Sequence, residues 1–261
     1  MQEMLDELPD NAMVTADAGF VGYDFWKSIL NADKNFLIRV GANVKLIKQL
    51  GYARENGSTV YLWPDQAARK KEPPLVLRLI VIHNGRHPVY LVTNITNRKI
   101  LSDKQAAQIY QYRWGIELFF RTFKRTFGRH KLRSRNAENA KIELDWSLLG
   151  LWMICLLGQR ELVQSGEDPH QLSPALAIKA VQSILRDYRV RPESLDETLG
   201  SLLVKAQRDR YIRNGSKTSR NYPRKKKKKQ IGSPKIIAAT KQQIETAKEV
   251  KKTHPTFHFT A

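Results

Sequence analysis

The chain has 261 residues, enough to bury a substantial core in one large domain or two small ones. Its 45 Lys+Arg against 25 Asp+Glu give a formal charge of +20, which points to a polyanionic partner such as nucleic acid. A single cysteine, Cys155, excludes an internal disulfide framework and a cysteine-based zinc site, and suits a small core hydrophobe. The apolar run around it, Leu148 to Leu157, is shorter than the ~20 residues that span a bilayer, and "MQEMLDELPD" lacks the basic-then-apolar order of a signal peptide. These features predict an intracellular protein with no membrane partner.

In chain order, "NAMVTAD" reads as a short buried strand ending at Asp17, followed by a turn "AGF" and an amphipathic helix "YDFWKSILNA". "NFLIRV" is a second strand. From about residue 41 to 97 the pattern is β: "NVKLI", "STVYLW", "LVLRLIVI" and "PVYLVTNI" are rich in Val, Ile and Leu. The turn-forming clusters "ENGS", "RKKEPP" and "HNGRHP" separate them. After "TNRKILS" the pattern is helical to about residue 206, with Ser102 or Asp103 as the first cap and "DPHQLSP" as a later break. Residues 205–252 hold 17 Lys+Arg and 3 Asp+Glu, so +14 of the +20 lies there. With few apolar residues and several breakers, this region is expected to be largely disordered, with a short helix in "IIAATKQQIETAKEV". Its run Lys225, Lys226, Lys227, Lys228 and Lys229 suits sequence-independent phosphate contact. There is no internal repeat and no glycine-rich phosphate loop.

The stretch "YQYRWGIELFFRTFK", residues 110–124, places one carboxylate, Glu117, in a basic and aromatic helix. At about 100° per residue, Arg113, Glu117, Arg121 and Lys124 fall within about 80° of one another. Tyr112, Ile116, Phe119, Phe120, Phe123 and Phe127 fall to one side of that stripe and form the expected core face. Trp114, beside the stripe, is expected to pack, with base stacking as its functional alternative. The polar stripe admits two readings. One is an ordinary salt-bridged surface. The other is a metal-dependent phosphoryl-transfer site, in which the acid holds a cation and the basic groups hold phosphates.

The spacing Tyr110-x2-Arg113-x3-Glu117-x6-Lys124 matches Y-(2)-R-(3)-E-(6)-K, and with "TADAGF" and "YLVTNI" upstream the chain resembles the DDE transposases of the insertion-sequence-four family. The resemblance covers roughly residues 10 to 160. It implies an α/β fold: a partial RNase H-like core in 1–40, a β-rich insertion in 41–98, and the glutamate helix with core-closing helices in 99–165. C-terminal helices in 166–206 and a basic tail in 207–261 complete the expected organisation. It also implies that Asp17 and Glu117 are the second and third acids of a site for two divalent cations, Mg²⁺ or Mn²⁺, that cleaves and joins DNA strands. Tyr110, Arg113 and Lys124 match positions that engage transposon-end phosphates, whereas Arg121 is outside the family pattern and is added from its place on the stripe. Implied partners are double-stranded DNA (transposon ends and target), and either a missing N-terminal half or a second transposase copy. The implied location is the cytoplasm of a bacterial-type cell, at the nucleoid.

One departure stands out. Only sixteen residues precede Asp17, and Asp6 and Asp10 fall in a helix end and turn, so no residue suits the family's first acid. The chain is therefore expected to be the downstream part of a longer or split protein, and inactive alone. The competing readings are a non-catalytic DNA-binding remnant or regulator, and an RNA-binding protein that uses the lysine run.

Overall fold

The structure, a computed structural model, describes residues 2–83, 87–129, 131–187, 198–207 and 231–253. The elements run α1 (Gln2–Asp6), β1 (Met13–Ala16), α2 (Tyr23–Asn31), β2 (Asn35–Val40), β3 (Lys45–Lys48), β4 (Thr59–Leu62), α3 (Asp65–Arg69), β5 (Leu75–Ile82) and β6 (Val89–Thr93). They continue with α4 (Asp103–Tyr112), α5 (Trp114–Arg121), a π-helical turn (Thr122–Thr126), α6 (Ala137–Gln164), a 3₁₀ turn (Pro169–Gln171), α7 (Pro174–Asp187), α8 (Leu199–Lys205), β7 (Lys235–Ala238) and α9 (Lys241–Thr253). Two units result, Met1–Arg113 with Pro223–Ala261, and Trp114–Tyr222.

The first unit is built on one mixed sheet, in the order β1-β2-β6-β5-β4-β3-β7 among the described residues. The β1–β2 and β3–β7 pairs are parallel and the pairs between them antiparallel. Helix α2 connects β1 to β2, as a parallel pair requires. The strands of residues 1–40 and those of 41–98 therefore share a single sheet. Alternation along β2 sorts its side chains between two faces. Phe36, Ile38 and Val40 pack with Trp26 and Ile29 of α2, while Leu37 packs with Ala106 and Tyr110 of α4. Helix α4 is started by Ser102, whose hydroxyl accepts from the Gln105 N–H while the Gln105 side chain accepts from the Ser102 N–H, a reciprocal cap.

Within residues 235–253 the short helix expected in the basic tail is present as α9, and a strand that was not expected, β7, precedes it. Strand β7 pairs in parallel with β3 over Lys45↔Lys235 to Lys48↔Ala238. Ala247 and Val250 of α9 are buried in the same cluster as Trp26 and Phe36. Ile231 lies so close to Gly41 that a Cβ there would collide with its side chain, so Gly41 admits the returning chain. The run Lys225–Lys229 lies outside the described residues.

The second unit is helical. Helix α6 packs against α7 and α8 through Leu162, Leu172, Ala177, Ala180 and Leu203, and against the π turn through Leu151 and Phe123. Cys155 is half-buried in this packing, and burial pushes its thiol pKa up, in keeping with an apolar role. No helix among the described residues is long and apolar enough to cross a membrane.

The expected core face of the glutamate helix needs correction. Phe123 is buried and Phe119 and Phe127 are half-buried, but Tyr112, Ile116 and Phe120 are exposed, as is Trp114. Phe120 lies only about 20° from Arg113 at 100° per residue, at the edge of the polar stripe, and residues 110–127 are not one α-helix. Helix α4 ends at Tyr112, a tight turn at Arg113 sends its N–H to the Tyr110 carbonyl at 3.3 Å, and α5 gives way to the π turn at Thr122. Each interruption shifts the angular phase that a uniform helical wheel assumes.

Candidate functional site

Asp17 directly follows β1, at the carboxyl end of the parallel β1–β2 pair, the edge where open α/β sheets place their sites. Its turn is held at several points. The Gly19 N–H donates to Asp17 Oδ1 at 2.9 Å, and the Phe20 N–H donates to the Asp17 carbonyl at 3.1 Å. Asn43 Nδ2 donates to the Ala18 carbonyl at 3.1 Å, and Trp26 Nε1 to that of Phe20 at 3.0 Å. A Cβ on residue 19 would stand 3.1 Å from Asp17 Oδ1, tight enough to disturb the turn, which explains glycine there. Asp17 Oδ2 makes no hydrogen bond among the described residues.

Tyr110 and Arg113 belong to the same unit as Asp17. The Arg113 guanidinium lies over the Tyr110 ring, 5.6 Å from its centroid. The Tyr110 hydroxyl is buried beside the Arg113 guanidinium, which can only donate to it. Burial pushes its pKa up, the positive charges of Arg113 and Arg39 pull it back, and the Asp17 carboxylate adds a smaller upward push. These opposing influences identify Arg39 and Asp17 as electrostatic neighbours of the ring. Arg39 was missed from the sequence. Its signal was present, as a cation inside the apolar strand "NFLIRV", on the face of β2 that alternation assigns to α4. An acid, two guanidiniums and a phenol thus gather at one strand end.

Glu117, Arg121 and Lys124 belong to the second unit. All three are exposed, Glu117 and Arg121 on α5 and Lys124 in the π turn, where its ammonium stands 6.0 Å from the Phe120 ring centroid. Among the described residues no group of three or more His, Cys, Asp or Glu forms a ready metal site. The uncommitted Oδ2 of Asp17 has the hard oxygen chemistry that Mg²⁺ and Mn²⁺ favour, which fits one ligand of a divalent cation. Asp6 and Asp10 lie at the end of α1 and in the turn after it, where Asp10 is 3.4 Å from the Lys34 ammonium.

The family described as "Transposase DDE domain" matches residues 1–153. The chain is 24% identical over 238 residues to the transposase InsG for insertion sequence element IS4 of Escherichia coli (strain K12), covering 85% of this chain and 52% of that protein. It is also 24% identical over 160 residues to a putative transposase for insertion sequence element IS4SA of Synechocystis sp. (strain ATCC 27184 / PCC 6803 / Kazusa), covering 59% of this chain and 44% of the relative. The chain therefore spans about half the length of the curated relatives it matches. With more than half of its residues inside the matched domain, the chain belongs to the DDE transposases of the insertion-sequence-four family.

Proposed function

We propose that the chain supplies the second and third acids, Asp17 and Glu117, of a DNA transposase that cleaves and joins strands. One observation carries this reading beyond family membership. The buried Tyr110 hydroxyl has Asp17, Arg39 and Arg113 as electrostatic neighbours at the carboxyl end of β1. A guanidinium can only donate, so the Tyr110 O–H is left to donate outward, and a DNA phosphate oxygen would accept from it. Arg39 and Arg113 would balance the phosphate charge, and Lys124 would contribute from the second unit. Asp17 and Glu117 would hold Mg²⁺ or Mn²⁺, which when bound supplies Lewis acidity toward the attacking and leaving oxygens.

The purified chain with Mg²⁺, given duplexes bearing the sequences that flank its gene, is expected neither to nick nor to join them. Adding a polypeptide that carries a preceding strand-borne aspartate is expected to restore both reactions. In that mixture Asp17→Asn and Glu117→Gln should each abolish strand transfer while leaving DNA retention intact. Full activity in both variants would refute the assignment of the two acids. A second reading is a non-catalytic DNA-binding protein of the same family. It would be upheld if DNA binding persists but no complement restores cleavage.

A further inference from the structure

Between the π turn and α6 the chain makes a loop, and in residues 118–137 there are seven Lys+Arg and no Asp or Glu. One carboxylate from α6 holds this loop. Glu143 Oε2 accepts from the N–H groups of Arg133 and Ser134 at 2.9 and 3.0 Å, and from the Ser134 hydroxyl at 2.9 Å. Its Oε1 accepts from Arg129 Nη1 at 3.0 Å and again from the Arg133 N–H at 3.2 Å. Those hydrogen bonds, with Arg129 adding its charge, hold the Glu143 carboxyl below its ordinary range, so it stays ionised in the grip. Gly128, at φ 75°, lets the chain leave the π turn, and Asn136 caps α6 at the far end by accepting from the Glu138 N–H at 2.8 Å.

The loop's side chains divide into two sets. Arg129 turns inward to Glu143 and over the Phe127 ring, at 5.8 Å from its centroid. Lys131, Arg133 and Arg135 recur at every second position, are exposed, and have no ion-pair partner among the described residues. Lys124 and Arg125 of the π turn are exposed next to them in the chain. Unpaired cations on a backbone fixed by hydrogen bonds are arranged for an anion outside the molecule, since a self-repelling loop gains nothing from being held in shape without one.

We infer that residues 131–136 form a strap that grips the phosphate backbone of duplex DNA through Lys131, Arg133 and Arg135, with Glu143 as its positioning residue. The inference rests on the transposase reading only for the class of partner. It extends the contact surface beyond the Tyr110–Lys124 pattern to a part of the second unit whose backbone is held in place.

The test is equilibrium binding of the full chain to a duplex of arbitrary sequence, without divalent metal, across a range of salt concentrations. Each phosphate neutralised contributes about 0.9 to the slope of log K against log salt. Replacing Lys131, Arg133 and Arg135 together by alanine should lower that slope by about 2 to 3. Glu143→Gln gives an opposite-sign control. It removes a negative charge, so a surface acting by net charge alone would bind more tightly. A strap that must be held in shape would bind more weakly, because one amide oxygen cannot accept what two carboxylate oxygens accept. Circular dichroism of both variants should match the parent, the three cations being exposed and α6 being capped independently at Asn136. An unchanged slope in the triple variant, or tighter binding by Glu143→Gln, overturns the proposal. Because no cleavage is measured, failure of the catalytic reading leaves this result untouched, and failure of the strap leaves the acids untouched.

Discussion

Arg78 lies in the middle of β5 with 1% of its surface exposed, between the buried Thr59 and Thr93 on a sheet face shared with Leu37, Ile80 and Leu91. Its Nη2 donates to the Leu101 carbonyl at 2.6 Å and stands 3.8 Å from Asp103, the first residue of α4. Its Nε and Nη1 are buried without partners, and burial pulls the guanidinium pKa down against the upward pull of Asp103. A buried cation so incompletely satisfied is poor value for stability, and its use is to fix the start of the helix that carries Tyr110. Arg78→Met, which fills the volume and removes the charge, is expected to unfold in urea within about 1 kcal/mol of the parent. Arg78→Ala should lose about 3 kcal/mol by leaving a cavity. Equal losses in the two would show that the charge itself stabilises. Glu143 gives a second residue-scale expectation. Its folded pKa is depressed below 4.5, so its contribution is present above that value and is lost as pH falls through the folded pKa. The melting temperature of the parent should therefore fall more steeply than that of Glu143→Gln between about pH 5 and about pH 3.

At the scale of the element, the strands were legible because each is a short apolar run bounded by turn formers. "NFLIRV" is β2, "LVLRLIVI" is β5, and the cores of "STVYLW" and "PVYLVTNI" are β4 and β6. Strand β7 was not legible. Its partner β3 is nearly two hundred residues away, and "KIIA" has too little local pattern to announce a strand without that partner. The candidate site divides the same way. The place of Asp17 at a strand end could be read from sequence, and the spacing of Tyr110, Arg113, Glu117 and Lys124 is itself a sequence pattern. The exposure of Ile116 and Tyr112 could not be read in this way, because an apolar spacing does not say whether a partner element covers that face. This makes a direct contrast. Phe123→Ala, at 4% exposure, should cost about 3–5 kcal/mol, whereas Ile116→Ala, at 50%, should stay within about 0.5 kcal/mol in the same denaturation assay. A larger loss at Ile116 would mean that its face is covered in solution.

For the whole molecule, the charge distribution takes on a different meaning once β7 and α9 are placed. Removing residues 205–252 would strip Ala247 and Val250 from the core, so such a deletion would confound charge with unfolding. Replacing Lys225–Lys229 by serine isolates the charge. The melting temperature should be unchanged, and the salt slope of duplex binding should fall by up to about 4.5. An unchanged slope would assign the DNA contact to other parts of the surface.

The lysine run also lies between two described segments, α8 ending at Lys205 and β7 beginning at Lys235, so in the covalent order it is a bridge with an ordered element at each end. Because β7 is hydrogen-bonded along β3 and α9 is seated in the core, the last stretch does not depend on that bridge for its place. A chain cut within Lys225–Lys229 is therefore expected to remain a two-piece assembly. Its C-terminal peptide should co-elute with the larger piece in size-exclusion chromatography and leave only in denaturant. Expressed as two separate polypeptides, the pieces should find each other, which makes this connection a natural place to divide the protein.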